Sequence, residues 1–173
     1  MSFNEAQRFV IKEYEKIGQD DARWYIPEYW FDLYDLDTPV DTVLDSVDYA
    51  SGVYEDINII QEFAETYTII ISTNNPRSIL EHKLKGLKFI NHITHTFSSI
   101  SDFGNIVKNR QFYTSICSKL GIRPPQMLHV GDNYLYDVLE PYAVGINALL
   151  IDRDGENSTM HSLHDLRLIL KNH

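Results

Sequence analysis

Cysteine is nearly absent from this sequence: Cys117 is the single one in 173 residues. That excludes a disulfide within the chain and a cysteine-rich zinc site. Basic clusters are missing too. Lys and Arg number 15 against 25 Asp and Glu, the formal net charge is −10, and no run of five Lys/Arg occurs. A nucleic-acid-binding surface is therefore not expected. The acidity is compatible with a divalent cation but does not specify one. No apolar run approaches the ~20 residues of a membrane span, and the first residues have no apolar core of the signal-peptide kind. The expectation is a cytoplasmic protein with no membrane partner. Repeats and low-complexity tracts are lacking as well.

What is present is an ordinary globular balance, 43% hydrophobic and 23% charged, enough to bury a core. The length fits one domain with a small appended subdomain. Up to about residue 52 the pattern is helical. Phe9, Val10, Tyr14 and Ile17 recur at helical spacing in a segment that stops at Gly18, as helices do at glycine. In "YIPEYWFDLYDL", Ile26, Tyr29, Trp30, Leu33 and Tyr34 form one face, with Pro27 at the first helical position. The Trp24/Tyr25/Tyr29/Trp30 group is expected to be helix packing. A third helix is expected over "TPVDTVLDSV", with Asp37 or Thr38 as N-cap and Pro39 first inside.

Beyond residue 53 short apolar runs alternate with amphipathic ones. Strands are expected at 67–72, 92–98, 126–131 and 146–152, with helices between them and a last helix over 161–172. β-branched runs separated by helices imply a parallel sheet with helices on both faces. The fold class is thus α/β: a Rossmann-like core over 53–173, preceded by a helical subdomain over 1–52. In such sheets the ligand crevice lies beyond the carboxyl ends of the strands. The residues there are Ser72, Thr73 and Asn74, then Ser98 and Ser99, then Gly131, Asp132 and Asn133, then Asp152. Hydroxyls, an amide and acids around one crevice suit a phosphate oxyanion and a hard cation. His92, His95 and His129 have no metal-ligand spacing, and His129, on an apolar strand, reads as a packed core histidine.

Those strand ends also carry a resemblance. From about Val53 to Arg153 the chain resembles the haloacid dehalogenase-like (HAD) hydrolases. "TIIISTNNP" is similar to the second motif of that family, "MLHVGDNYLYDV" to the fourth, and "VKNRQFYTSICSKLGI" to the region of the third. The resemblance implies phosphate-binding roles for Thr73 and Asn74, a charge-offsetting Lys108, and Asp132 and Asp137 as acids that hold Mg2+. It implies phosphoryl transfer from a small phosphorylated substrate through an aspartyl-phosphate. "KNRQFY" lacks the commoner Lys-Pro-Asp of the third motif, so Lys108 rests on a looser match.

The first motif of that family is an apolar strand ending in Asp-x-Asp, and it supplies the nucleophile. Asp35-Leu36-Asp37-Thr38 has the spacing, and Asp32 in "FDLY" is a second candidate. Both follow a helical pattern rather than a strand, and Pro27 leaves too few residues for a central one. In HAD proteins a helical cap is inserted between the first and second motifs, and residues 1–52 resemble such a cap. The expectation is therefore that the nucleophile lies upstream of Met1 and that the central strand is missing. The alternative is a non-catalytic HAD-like module that binds an anion or a metal, or completes its sheet with a partner chain. An incomplete sheet also makes a homo-oligomer an expectation.

Overall fold

The computed structural model describes residues 1–155 and 160–171. Residues 1–52 contain helices and helical turns only. Helix α1 (Phe3–Ile17) opens with a reciprocal cap between Ser2 and Glu5 and ends at Gly18, whose φ of 78° favours glycine. Helix α2 (Pro27–Leu33) has proline in its first turn, as the sequence indicates. Helix α3 (Val40–Ser46) starts one residue later than expected, because Pro39 has an extended ψ of 139° and is itself the N-cap. Trp30 is buried and stacks on Tyr14 at 3.9 Å, and Trp24 meets the Tyr14 ring edge-on. Asp32 is inside α2, and Asp35 follows it in a left-handed turn with φ 50°. Neither aspartate ends a strand.

The rest alternates strands and helices: α4 (Ile59–Ala64), β1 (Ile70–Thr73), α5 (Arg77–Leu84), β2 (His95–Ser98), α6 (Ser99–Phe103), α7 (Arg110–Leu120), β3 (Leu128–Gly131), α8 (Glu140–Tyr142), β4 (Asn147–Leu150) and α9 (Leu166–Leu170). Helix α6 was not foreseen; it is capped by the buried Ser98, whose hydroxyl accepts from the Ser101 amide. The segment after β3, expected as an ordinary helix, is a π-helical turn over Tyr134–Leu139 that runs into α8. The last helix begins at Leu166 after a 3-10 turn. Its expected final residue, Asn172, lies outside the described residues.

The strands are parallel, but they form two sheets. β1 pairs with β2 (Ile70 opposite His95, Thr73 opposite Ser98), and β3 pairs with β4 (Leu128 opposite Asn147, Gly131 opposite Leu150). β1 and β3 do not approach each other at pairing distance. Both sheets nevertheless lie in one layer. Ile70 and Phe97 share a cluster with Phe112, Tyr113, Ile116, Met127 and Ile146, which places α7 over one face. Ile69, Leu128, Val130 and Leu149 share the other with Ile59, Phe63 and Leu166, which places α4 and α9 over the opposite face. The result is a three-layer α/β fold whose sheet is interrupted in the middle, as expected for an absent central strand.

Candidate functional site

The site is assembled where β1 and β3 end. Asn74, just past β1, is its hub. Its Oδ1 accepts the Lys108 backbone N–H at 2.7 Å and, more weakly, the Ser99 hydroxyl at 3.5 Å. Thr73 Oγ1 accepts the Asn75 N–H at 3.1 Å, which closes the turn after the strand and leaves the hydroxyl proton to donate. Lys108 sits just before α7, whose N-cap Asn109 accepts the Phe112 amide at 3.0 Å. Its ammonium reaches across to the Asp137 carboxylate.

Asp137 is the most enclosed acid of the site, 1% exposed. The π-helical turn delivers it beneath Gly131, where a Cβ would sit 2.3 Å from its Cγ, so only glycine fits. Its Oδ2 accepts the Asn133 amide at 3.0 Å, and its Oδ1 is shared by Lys108 and by His129 Nε2 at 2.8 Å. An ionised carboxylate only accepts, so His129 Nε2 carries a proton. Tyr113 gives its own proton to the Tyr136 carbonyl at 2.7 Å and lies 3.1 Å from the same nitrogen. Burial opposes the charge on Asp137, but the His129 N–H and the Lys108 ammonium outweigh it and hold the carboxyl well below the usual range. Burial pushes His129 down, with the Asp137 bond opposing, and pushes the Tyr113 phenol up.

Asp132 follows Gly131 and is exposed. Ser98 and Ser99 are fully buried and serve α6 and Asn74 rather than the crevice. Asp152 binds the Gly155 amide at 2.9 Å, part of a turn after β4. The structure thus brings Thr73, Asn74, Lys108 and Asp137 together, with Asp132 at the rim. The helical segment reaches the same place. Tyr25 OH lies 3.5 Å from Asn74 Nδ2, and Tyr136 OH donates to Asp20 Oδ1 at 3.0 Å. Burial and the Asp20 bond push the Tyr136 phenol up to about 12. Tyr25 was expected only to pack among helices, and nothing in its spacing separated it from Tyr29 or Trp30. The Tyr113–His129–Asp137 chain was also missed, although His129 is packed in the core as expected.

The residues present do not by themselves complete a Mg2+ site. Three of the four lone pairs of Asp137 are taken by protein donors. Among the described residues no group of three or more His, Cys, Asp or Glu gathers as metal ligands would.

No protein-family model and no curated protein matches the sequence. Solved structures do. A HAD phosphatase from Thermococcus onnurineus is 26% identical and superposes with a TM-score of 0.82 over 98% of this chain and 81% of its own. A 2-haloacid dehalogenase from Pseudomonas syringae is 16% identical, with a TM-score of 0.57 over 69% of this chain and 54% of its own. The putative HAD-hydrolase YfnB from Bacillus subtilis, solved bound to magnesium, is 17% identical, with a TM-score of 0.60 over 66% and 52%. The chain spans about half the length of the latter two. This chain has the α/β fold of the haloacid dehalogenase-like hydrolases.

Proposed function

We propose that the chain is the phosphate-handling core of a Mg2+-assisted phosphatase for a small phosphorylated metabolite, working through an aspartyl-phosphate. The observation that carries this reading is the meeting of Asn74, Lys108 and Asp137 at the ends of two strands. Thr73 and the Asn74 amide would donate to phosphoryl oxygens. At 3.5 Å the bond from Asn74 Nδ2 to Tyr25 is weak, so that donor is available. Lys108, anchored at both its backbone and its ammonium, offsets the phosphoryl charge without moving. Asp132, exposed just after β3, would meet Mg2+, with the buried Asp137 five residues further along. When bound, the ion would help neutralise charge on the transferring group. A cytoplasmic setting and a small phosphorylated substrate belong to the same proposal.

The attacking aspartate is not at any described strand end between β1 and β3, so the transfer step needs one brought there. That interruption favours a second reading, in which the chain alone binds an anion without turning it over. Both readings expect the chain to bind inorganic phosphate in the presence of Mg2+, measured by calorimetry, and Lys108→Met to weaken that binding at least about tenfold. Hydrolysis of p-nitrophenyl phosphate separates them. Turnover is expected once an apolar strand ending in Asp-x-Asp is supplied ahead of Met1, and is lost again in Lys108→Met or Asp132→Asn. If the strand restores no turnover, the non-catalytic reading stands. Turnover by the 173-residue chain that disappears in Asp35→Asn overturns the placement of the nucleophile.

A further inference from the structure

The crevice at the strand ends has a second wall. Asp20 and Tyr25, from the segment after α1, meet Tyr136 of the π-helical turn and Asn74 beyond β1. Tyr136 is held from two sides. Its amide donates to Asn133 Oδ1 at 3.0 Å, and its carbonyl accepts the Tyr113 hydroxyl at 2.7 Å. Its phenol donates to Asp20 Oδ1, also at 3.0 Å. Tyr25 is buried, with its oxygen 3.5 Å from Asn74 Nδ2. Burial pushes both phenols up; the Asn74 bond opposes this at Tyr25, and the Asp20 charge adds to it at both. The three groups are therefore one cluster. Asp20 itself is exposed, and its second oxygen accepts no bond among the described residues. The basic residue of the same segment is committed elsewhere. Arg23 grips Asp21 through bonds of 2.6, 3.0 and 3.1 Å and stands over the Tyr29 ring. This wall thus presents one uncompensated negative charge and two phenols.

We propose that Asp20, with Tyr25 and Tyr136, forms a leaving-group subsite that selects small phosphate monoesters carrying a primary ammonium. This deepens the phosphatase reading and rests on it, since the phosphoryl end is the one at Thr73, Asn74 and Lys108. The two ends have opposite polarity. Lys108 and the Asn74 amide suit a dianion, and Asp20 suits a cation. A zwitterionic ester finds complementary charge at both ends. An ester ending in a carboxylate or a second phosphate meets Asp20 as a like charge. An ammonium brings three donors. The open Asp20 oxygen accepts one, and Tyr136, having given its proton to Asp20, keeps lone pairs for another. The tyrosine rings add electron-rich faces on which a cation is favoured. The leaving group is short, because Tyr25 touches Asn74 itself and links the two ends directly.

The test is calorimetric titration of the full chain with Mg2+ at mildly alkaline pH, where the phosphoryl groups are dianions. The probes are O-phosphoethanolamine, ethyl phosphate, 2-phosphoglycolate and inorganic phosphate. O-phosphoethanolamine should bind at least about threefold more tightly than ethyl phosphate, a modest ratio because Asp20 is exposed. Asp20→Asn keeps an acceptor for Tyr136 and removes only the charge, so it should bring the two esters to equal affinity. Asp20→Lys should invert the order, with 2-phosphoglycolate binding more tightly than O-phosphoethanolamine. Each readout is a ratio of two affinities within one variant, so a general loss of folding or of phosphoryl binding does not imitate it. A smaller ratio in the wild type, a ratio that Asp20→Asn leaves unchanged, or a lysine variant that still prefers the amine would each overturn the proposal. If inorganic phosphate and ethyl phosphate bind and the amine gives no advantage, this subsite alone is refuted. If none of the four probes binds, the phosphatase reading falls and the subsite with it.

Discussion

Asp137 concentrates the electrostatics of the molecule. A buried carboxylate bonded to an ammonium, an imidazole N–H and a backbone amide is stable only while all three donors stay. Asp137→Asn keeps the shape but strands the Lys108 ammonium, whose side chain is 12% exposed. Breaking a buried pair from one side costs about 3–5 kcal/mol, so urea denaturation should show a loss near the lower figure. The pH dependence has a defined sign. The folded pKa lies below the unfolded value of about 3.9, so the contribution is complete above that value and fades as pH falls through the folded pKa. The difference in urea midpoint between wild type and Asp137→Asn should therefore be smaller near pH 3 than at neutral pH, with most of it still present at pH 3. Gly131→Ala is the steric counterpart. Its Cβ would enter the Asp137 carboxyl at 2.3 Å, so it should destabilise by about 1–3 kcal/mol and displace Lys108. Thr73 and Asn74 could be singled out because they follow a predicted strand, whereas Lys108 and Asp137 came only from the resemblance of their segments to the third and fourth motifs. The bond from His129 was not legible, because no spacing rule links a strand histidine to an acid eight residues later in a π-helical turn.

Elements with their own start and stop signals were read closely. α1 has its capping box and Gly18, α2 has Pro27, and α7 runs from Asn109 to Gly121, whose φ is 66°. Such signals act locally, so the sequence alone exposes them. Asn109→Ala should remove the N-cap bond to Phe112 at a cost of about 1 kcal/mol, a fall of about 2–4 °C in Tm by calorimetry. Because that cap also sets the start of α7 beside Lys108, phosphate binding should weaken with it. Strands were read less closely. Runs expected at 67–72 and 92–98 contract to Ile70–Thr73 and His95–Ser98, because β1 has only one neighbour and is a strand only where β2 lies beside it. The contacts of Tyr25 with Asn74 after β1 and of Asp20 with Tyr136 in the π-helical turn are tertiary, at sequence separations of 49 and 116, and no periodicity encodes them. The assignment of residues 1–52 as a cap subdomain remains a proposal, to which these two contacts give a test. Tyr25→Phe combined with Tyr136→Phe should leave the core stable and raise proteolytic cleavage between residues 18 and 26.

At the scale of the whole molecule the central feature is the break in the sheet: β1 and β3, in the segments resembling the second and fourth motifs, have no strand between them among the described residues. The fold shows that the flanking layers assemble nonetheless, because α7 on one face and α4 with α9 on the other contact both half-sheets. The two clusters therefore carry a cohesion that the backbone ladder does not. Protection should follow that division. Amides that bond from β1 to β2 and from β3 to β4 are held by a partner strand, while those on the opposite edges have no partner strand among the described residues. Hydrogen exchange followed by NMR should give an alternating pattern in β1 and β3, with the amides turned away from the partner strand exchanging at least about tenfold faster than their neighbours. A continuous sheet would protect both sets alike. Uniform protection along Ile70–Thr73 and Leu128–Gly131 would mean that the two halves pair directly in solution, and the molecule would then have no place for a further strand.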